Sequence, residues 1–249
     1  MVVLKTSREI SCMRQAGRIS ARALKLAGEA VEPGVTTGEI DRIVRRYIES
    51  EGATPSFLGY GGFPASACIS VNQVVIHGIP GHQTLKAGDI VSVDVGAFFK
   101  GFHGDNAYTF PCGEISKEAQ ALLDATRESL YEGIAQAKAG NRIGDVASAV
   151  QRYTEARGYS VVRQFVGHGV GASLHESPEV PNFGTPGRGV RLLPGMTIAI
   201  EPMINAGVGE VIVQKDEWTT VTADGKLSAH FEHTVAITPD GPVILTLPD

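Results

Sequence analysis

Cysteine is scarce in this chain: Cys12, Cys68 and Cys112 are the whole supply, scattered and odd in number. That excludes a disulfide framework and a cysteine-built zinc site, and it fits a reduced, cytoplasmic protein. Aromatic residues are 6% of the chain, and tryptophan occurs once. With a net charge of −5 and no basic run, no nucleic-acid surface is expected. No window approaches the roughly 18 apolar residues of a membrane span, and the opening MVVLKTSREISCMRQ lacks an apolar signal core. A GxSxG elbow and an HExxH helix are both missing, and no cysteine has a plausible histidine partner, so serine or cysteine nucleophilic hydrolysis is unsupported. Gly167-His-Gly169-Val-Gly171 resembles a phosphate-cradling loop, but Ser177-Pro178 breaks the chain before a helix can follow.

What is present is ordinary for a globular protein: 249 residues, 43% hydrophobic and 20% charged. The stretch Asp89 to Phe110, DIVSVDVGAFFKGFHGDNAYTF, is the centre of the chain. β-formers flank a turn-like Lys100-Gly101, which predicts an antiparallel hairpin. Centring the turn near Phe99-Lys100 pairs Asp94 with Asp105, and facing Cβ atoms lie about 5 Å apart. Two carboxylates that close repel unless a proton or a cation lies between them. On the hairpin alone two readings stay open: a metal pair, or one Asp acting as a turn or capping residue.

Around this hairpin the chain reads as helices and strands. Ser7 is expected to cap a first helix with Ile10, Met13, Ala16, Ile19, Ala23 and Leu24 inward. Thr36 and Glu39 form a capping box for a second, and Gly52 ends it. Two more helices are expected from Ser116 to Gly140 and from Ile143 to Gly158. Strands are expected at Ser160 to Val166, Met196 to Glu201 and Ala229 to Ile237.

The chain contains an internal repeat. Gly34 to Gly52 overlays Gly140 to Gly158 at an offset of 106, with seven of nineteen positions identical. At an offset of 107, Gly88 to Asp94 overlays Gly195 to Glu201. Each half therefore has helices followed by a strand ending on a carboxylate. Two such halves, about 1–112 and 113–249, are expected to form one catalytic domain over 1–249 with one sheet and one core. A pseudo-twofold axis between them brings Glu201 to Asp94.

Asp94, Asp105, His168, Glu201 and Glu232 lie at strand ends or glycine-rich turns in apolar surroundings, where bare charges are costly. Four acids and one imidazole form an oxygen-rich set that suits two carboxylate-bridged divalent ions better than one tetrahedral zinc. Taken singly, each is as readily a capping acid or ion-pair member; jointly they point to metal. His175 and His77 follow in nearby turns. His82 and His230 read as solvated or merely local, and His103 and His233 as ambiguous supports of the ligands. Phe57, Tyr60, Phe63, Cys68 and Trp218 make either an apolar pocket or plain loop packing.

VNQVVIHGIP, the Asp94/Asp105 hairpin with GFHGD, GHGVGASLHE, AIEPMIN and SAHFEHTVAIT stand in the order and spacing of type I methionine aminopeptidases. The chain resembles that family over nearly its whole length. The resemblance implies the pita-bread fold, an α/β (α+β) architecture of two pseudo-symmetric halves sharing a curved antiparallel sheet with helices outside. Only thirty-one positions separate Glu201 from Glu232, too few for the helical insertion of type II enzymes. With no zinc-binding N-terminal extension, the chain resembles the short bacterial form. By resemblance, Asp94, Asp105, His168, Glu201 and Glu232 hold two divalent ions (Co, Mn, Fe or Zn), with Asp105 and Glu232 bridging. His77 and His175 contact the substrate, and Phe57, Tyr60, Phe63, Cys68, Leu174 and Trp218 line a methionine pocket. Asn72, Val74 and Ser228 match positions that hold a Na or K ion in some relatives. The commonest bacterial pattern has Cys at Phe57, Tyr at Phe63 and Phe at Leu174. The replacements stay apolar, so methionine preference is expected to survive while pocket size changes.

The reaction implied is removal of the N-terminal methionine from nascent chains whose second residue is small. Two cations lower the pKa of a bridging water from about 16 to about 7, and the resulting hydroxide attacks the first peptide bond. Glu201 carries the proton, His175 stabilises the oxyanion and His77 orients the amide. The expected partners are nascent N-termini and the ribosome, with no nucleic acid or membrane, and the protein is expected to be a monomer. Three alternatives are an Xaa-Pro peptidase on the same fold, a non-catalytic pita-bread module, and a two-metal phosphatase. The apolar loops and the lack of a basic phosphate clamp count against the last.

Overall fold

A computed structural model of the chain describes residues 2–248. Helix α1 (Ser7–Glu29) starts one residue earlier than the Ser7 cap expected, because Thr6 has the better partner. Glu9 stands at its third helical position, so the Thr6 N–H donates to Glu9 Oε2 at 2.7 Å and the Glu9 N–H to Thr6 Oγ1 at 3.3 Å. From Ser7 that partner position falls on Ile10, which has no carboxylate to offer. Helix α2 (Thr37–Ser50) is capped by Thr36 and Glu39 as read. Met13, Ala16, Ile19, Ala23 and Leu24 of α1 and Ile40, Val44 and Ile48 of α2 are buried, the helical spacing of an inward face.

These two helices back an antiparallel sheet formed by β1 (Thr54–Pro55), β2 (Ala67–Val71), β4 (Ile90–Phe99) and β5 (Phe102–Pro111), while β3 (Val74–Ile76) pairs elsewhere. Buried Val91, Val93 and Val95 fill the space between the sheet and the helices. The second set of helices, α3 (Lys117–Gln136) and α4 (Ile143–Glu155), packs in the same way. Leu122, Leu130, Val146, Ile198, Ile200 and Val235 form the core beneath them.

The strands of this part are β6 (Ser160–Val161), β7 (Gly167–Gly169), β8 (Glu176–Val180), β9 (Thr197–Ile200), β10 (Met203–Asn205), β11 (Val211–Val213), β12 (Thr220–Thr222), β13 (Ser228–His230), β14 (His233–Thr238) and β15 (Gly241–Ile244). Of the expected strands, Ser160 to Val166 is cut short to β6 and Ala229 to Ile237 is divided into β13 and β14, for one reason. The chain leaves β6, paired with β10, and joins β9 through β7, so 163–166 crosses between sheets. It likewise leaves β13, paired with β10, and joins β9 through β14, so Phe231-Glu232 is a bend.

The repeated segments make matching anchors. Gly34 N–H donates to Leu85 O and Gly140 N–H to Leu192 O, both at 2.9 Å; Gly38 N–H to Gly81 O and Gly144 N–H to Arg188 O are also both 2.9 Å. Every strand ladder among the described residues is antiparallel, and continuous bonding divides them into four sheets. The hairpin sheet is sewn along β5 to the chain that runs from β13 into β14. Glu232 N–H donates to Ala107 O at 2.9 Å and Ala107 N–H to Glu232 O at 3.4 Å. Buried threonines extend the seam: Asp105 N–H donates to Thr234 Oγ1 at 3.0 Å, and His230 N–H to Thr109 Oγ1 at 2.9 Å. Among the described residues no helix is long and apolar enough to cross a membrane.

Candidate metal centre

The hairpin is real, but its register differs from the expectation. Lys100 (φ 51°) and Gly101 (φ 86°) are both left-handed, the requirement of the two-residue turn whose twist matches paired strands. This turn sits one position later than expected, so Asp94 pairs with Ala107, and Asp105 with Gly96. The total slip is two residues, which keeps side chains on their face. Asp94 and Asp105 are therefore diagonal neighbours aimed to the same side. Gly96, opposite Asp105, leaves room for the Phe57 ring, since a Cβ there would lie 2.8 Å from Phe57 Cε1. Cys68 stands directly across from Asp94 on β2.

A cavity of about 200 Å³ opens at this point. Asp94, Asp105, His168, Glu201 and Glu232 all line it, as do His77, His175, Phe57, Tyr60, Phe63, Cys68, Leu174 and Trp218. Ligand-type atoms of Asp105, His168 and Glu232 lie within 4.8 Å of one another. His168 Nδ1 donates to Gly169 O at 2.9 Å, which leaves Nε2 with its lone pair. That atom lies 3.5 Å from Glu201 Oε1 and 3.9 Å from Asp105 Oδ2. Asp94 Oδ1, Asp105 Oδ1 and Glu232 Oε1 are buried without a hydrogen-bond partner. A set of orphaned carboxylate oxygens around a free imidazole nitrogen fits divalent cations.

The electrostatics agree. Burial pushes the Asp105 carboxyl up to about 7. Burial first, and then Asp105 and Glu201, hold Asp94 well above its ordinary range. Glu201 and Glu232 are raised by burial and then by neighbouring acids. Burial brings His168 down to about 3, so its imidazole is neutral. Without cations the cluster holds protons; with them it exchanges protons for metal.

His175 Nδ1 lies 2.8 Å from the Tyr60 hydroxyl, the rings stack at 5.1 Å, and Tyr60 forms the cavity's rim at 45% exposure. His77 follows β3 with a left-handed φ of 58°, the kind of backbone strain found at functional positions. Its ring packs edge-on against Phe165 at 5.6 Å and Trp218 at 6.2 Å. Phe57, Phe63, Cys68 and Leu174 form one buried cluster with Trp218 against it, so the loop aromatics make a shared wall. Burial pushes the Cys68 thiol up, which leaves it a packing residue rather than a nucleophile.

One expectation is overturned. His230 is neither solvated nor local: it is 2% exposed, and its unpartnered Nε2 lies 3.8 Å from Glu201 Oε2. The signal lies in Ser-Ala-His-Phe-Glu, which puts His230 two residues from the candidate ligand Glu232. Ile76, Phe165 and Val166 also line the cavity and escaped the sequence reading. Phe165 was hidden in a segment read as continuous strand. His103 and His233 stay outside the cavity, bonded to Ser56 at 2.8 Å and Thr246 at 2.9 Å. His82 is exposed, as read. Asn72 and Ser228 meet through a Ser228 N–H to Asn72 O bond of 2.9 Å, and β3, with Val74, packs beside β13.

A helix-backed antiparallel fold that gathers buried acids and imidazoles beneath an apolar wall defines a metal-dependent hydrolase. The profile of metallopeptidase family M24 matches residues 11–239, and the chain belongs to that family. It is 57% identical to the methionine aminopeptidase of Clostridium perfringens (strain 13 / Type A), over 99% of each chain. The crystal structure of methionine aminopeptidase from Thermotoga maritima superposes with a TM-score of 0.98 at 46% identity, covering 99% of this chain and 100% of that one. The prolidase from Pyrococcus horikoshii OT3 shares the fold, with a TM-score of 0.80 at 22% identity over 100% of this chain and 65% of its own.

Proposed function

We propose that the protein is a methionine aminopeptidase that removes the first methionine of nascent chains when the second residue is small. One observation carries this reading: orphaned carboxylates and imidazoles share a 200 Å³ cavity with an apolar wall. Asp94, Asp105, His168, Glu201 and Glu232 would hold two divalent ions, drawn from Co, Mn, Fe and Zn. Bound there, these ions supply Lewis acidity and hydroxide at neutral pH. The methionine side chain lies along Phe57, Phe63, Cys68, Leu174 and Trp218.

Glu201 accepts the proton of the attacking water and delivers it to the leaving amine. A Tyr60 hydroxyl donating to His175 Nδ1 keeps the proton on Nε2, which then donates to the oxyanion. His77, fixed between Phe165 and Trp218, orients the scissile amide. Asn72, Val74 and Ser228 are the proposed monovalent-cation position. Residues 1–249 form one catalytic domain of two halves. The working compartment is the cytoplasm, where nascent chains emerge from ribosomes, and the working form is a monomer.

The deciding experiment purifies the protein without added metal, counts its metal, and follows Met-Ala-Ser against formyl-Met-Ala-Ser and Ala-Pro peptides. Two ions per chain and cleavage of Met-Ala-Ser alone are expected. Equal cutting of the formylated peptide refutes a free-amine requirement, and preference for Ala-Pro transfers the protein to the Xaa-Pro class.

A further inference from the structure

His175 ends the loop between β7 and β8, and that loop is gripped from outside the cavity. Glu176, paired with Gly169, is the first residue of β8. Its Oε1 accepts the Ser173 N–H at 3.2 Å, and its Oε2 accepts from the Lys5 ammonium at 2.5 Å. Lys5 is buried at 3% exposure and Glu176 mostly covered at 13%, and neither lines the cavity. Lys5 is itself fixed, because its N–H donates to Gly195 O at 2.7 Å and its Nζ to Val3 O at 3.2 Å. The loop's other end is tied by Gly171 N–H to Ser173 O at 3.0 Å and by His103 N–H to Gly171 O at 2.9 Å. Gly171 has no side chain for a steric reason: a Cβ there would lie 2.3 Å from Glu176 Oε1 and 2.6 Å from Lys5 Cε.

A buried ion pair contributes little net stability over an apolar pair of the same shape. What this one does contribute is a unique geometry for the six residues before Glu176. We propose that Lys5 is a positioning residue for the reaction: acting through Glu176, it fixes the 171–175 loop so that the His175 ring stays on Tyr60 and beside His168. The proposal rests on the role of His175 given under Proposed function. Small misplacements of a reacting group cost large factors in rate while leaving ground-state binding intact.

The test compares parental protein, Lys5→Met, His175→Ala and the double variant as metal-loaded full chains on Met-Ala-Ser. Methionine preserves the apolar stem of Lys5. Lys5→Met is expected to lower kcat about 10-fold to 100-fold, with KM and metal content within about two-fold of parental. In the His175→Ala background it is expected to cost nothing further, the mark of two residues acting as one unit. A readout independent of turnover is amide hydrogen exchange: Gly171 and Ser173 should exchange faster in Lys5→Met, while β9 and β14 keep parental rates. Parental kcat in Lys5→Met, equal losses in both backgrounds, or unchanged exchange at Ser173 overturns the proposal. Should Lys5→Met fail to fold, Glu176→Gln, which keeps the shape and the Ser173 acceptor, is read by the same cycle. A parental protein that leaves Met-Ala-Ser intact refutes the peptidase reading instead, and the exchange comparison still decides the clamp.

Discussion

Before Gly113, α1 and α2 back a hairpin whose long strands are joined by the two-residue turn at Lys100-Gly101. After it, α3 and α4 back β9 and β14, which pair His233 with Ile200 across an intervening excursion through β10 to β13. The scaffolds correspond down to the glycine anchors, yet their contributions differ. The local hairpin supplies oxygen donors only, Asp94 and Asp105, set by a register that neighbouring residues determine. The part after Gly113 supplies Glu201 and Glu232 together with His168 and His175, and its excursion carries Trp218 to the cavity wall, while His77 reaches the cavity from the first part. A local hairpin therefore presents two carboxylates, a longer-range unit adds the remaining acids and His168, and both parts share the apolar wall, Phe57, Phe63 and Cys68 from the first and Leu174 and Trp218 from the second.

Separating the two parts should have the largest effect. Fragments 1–112 and 114–249, purified apart, are each expected to lose tight metal binding, because each retains only part of the acid set. Metal counted after dialysis checks this, and full retention by either fragment breaks the division of labour. Next comes His175→Ala, expected to keep its metal and lose about 10²–10³ in rate, measured as Met-Ala-Ser turnover beside metal content. Parental turnover would remove His175 from the reaction.

The third effect is on stability. In metal-free protein the folded Asp105 carboxyl lies near 7, above its unfolded value of about 4, so the folded chain holds the extra proton. Its contribution is present below about pH 4 and is lost as pH rises to about 7, an effect on the order of a few kcal/mol. His233 runs the opposite way: burial lowers it to about 4, so its contribution is present above the unfolded value of about 6.5 and lost as pH falls. Urea midpoints of metal-stripped protein across this range should decline less steeply toward neutral pH in Asp105→Asn, since Asp94, Glu201 and Glu232, also raised by burial, still contribute. A decline unchanged in that variant would show that the buried charge lies elsewhere in the cluster. The smallest effect is Leu174→Phe. It crowds the buried cluster of Phe57, Phe63 and Cys68, with an expected cost of about 1–3 kcal/mol in stability and a modest rise in KM, read by thermal melting and steady-state kinetics.

Much of the centre was readable because it is local or periodic. The hairpin follows from β-formers around Lys100-Gly101, and the match between Asp94 and Glu201 from the repeat. The register did not follow: Lys100-Gly101 is the turn-like pair and the observed turn, but centring the hairpin on Phe99-Lys100 puts the pairing two residues off, since Lys100 is an unusual residue in a left-handed conformation. His230 was misjudged because its burial depends on Thr109, more than a hundred residues away, accepting its N–H. The break at Phe231-Glu232 is equally non-local: those residues look like strand, and only the competition of two sheets for the same chain bends them. The Lys5 clamp was invisible for the same reason, since its partner lies 171 positions along the chain.

The threonine-sewn seam also bears on how the protein is made. Asp105 and Thr234 are 129 positions apart, and closing a loop of that length is entropically costly before the contacts it brings are formed. A growing chain that has reached Asp105 presents two aspartates without His168, Glu201 or Glu232, an incomplete set for cations. Only once Thr234 docks does the full donor set exist. Metal then favours the finished fold over every earlier one, by about 2.7 kcal/mol at a hundredfold excess over Kd. On the proposed ligand set, loading would double as a checkpoint on synthesis: a chain stalled or truncated before the seam closes would stay both inactive and metal-poor.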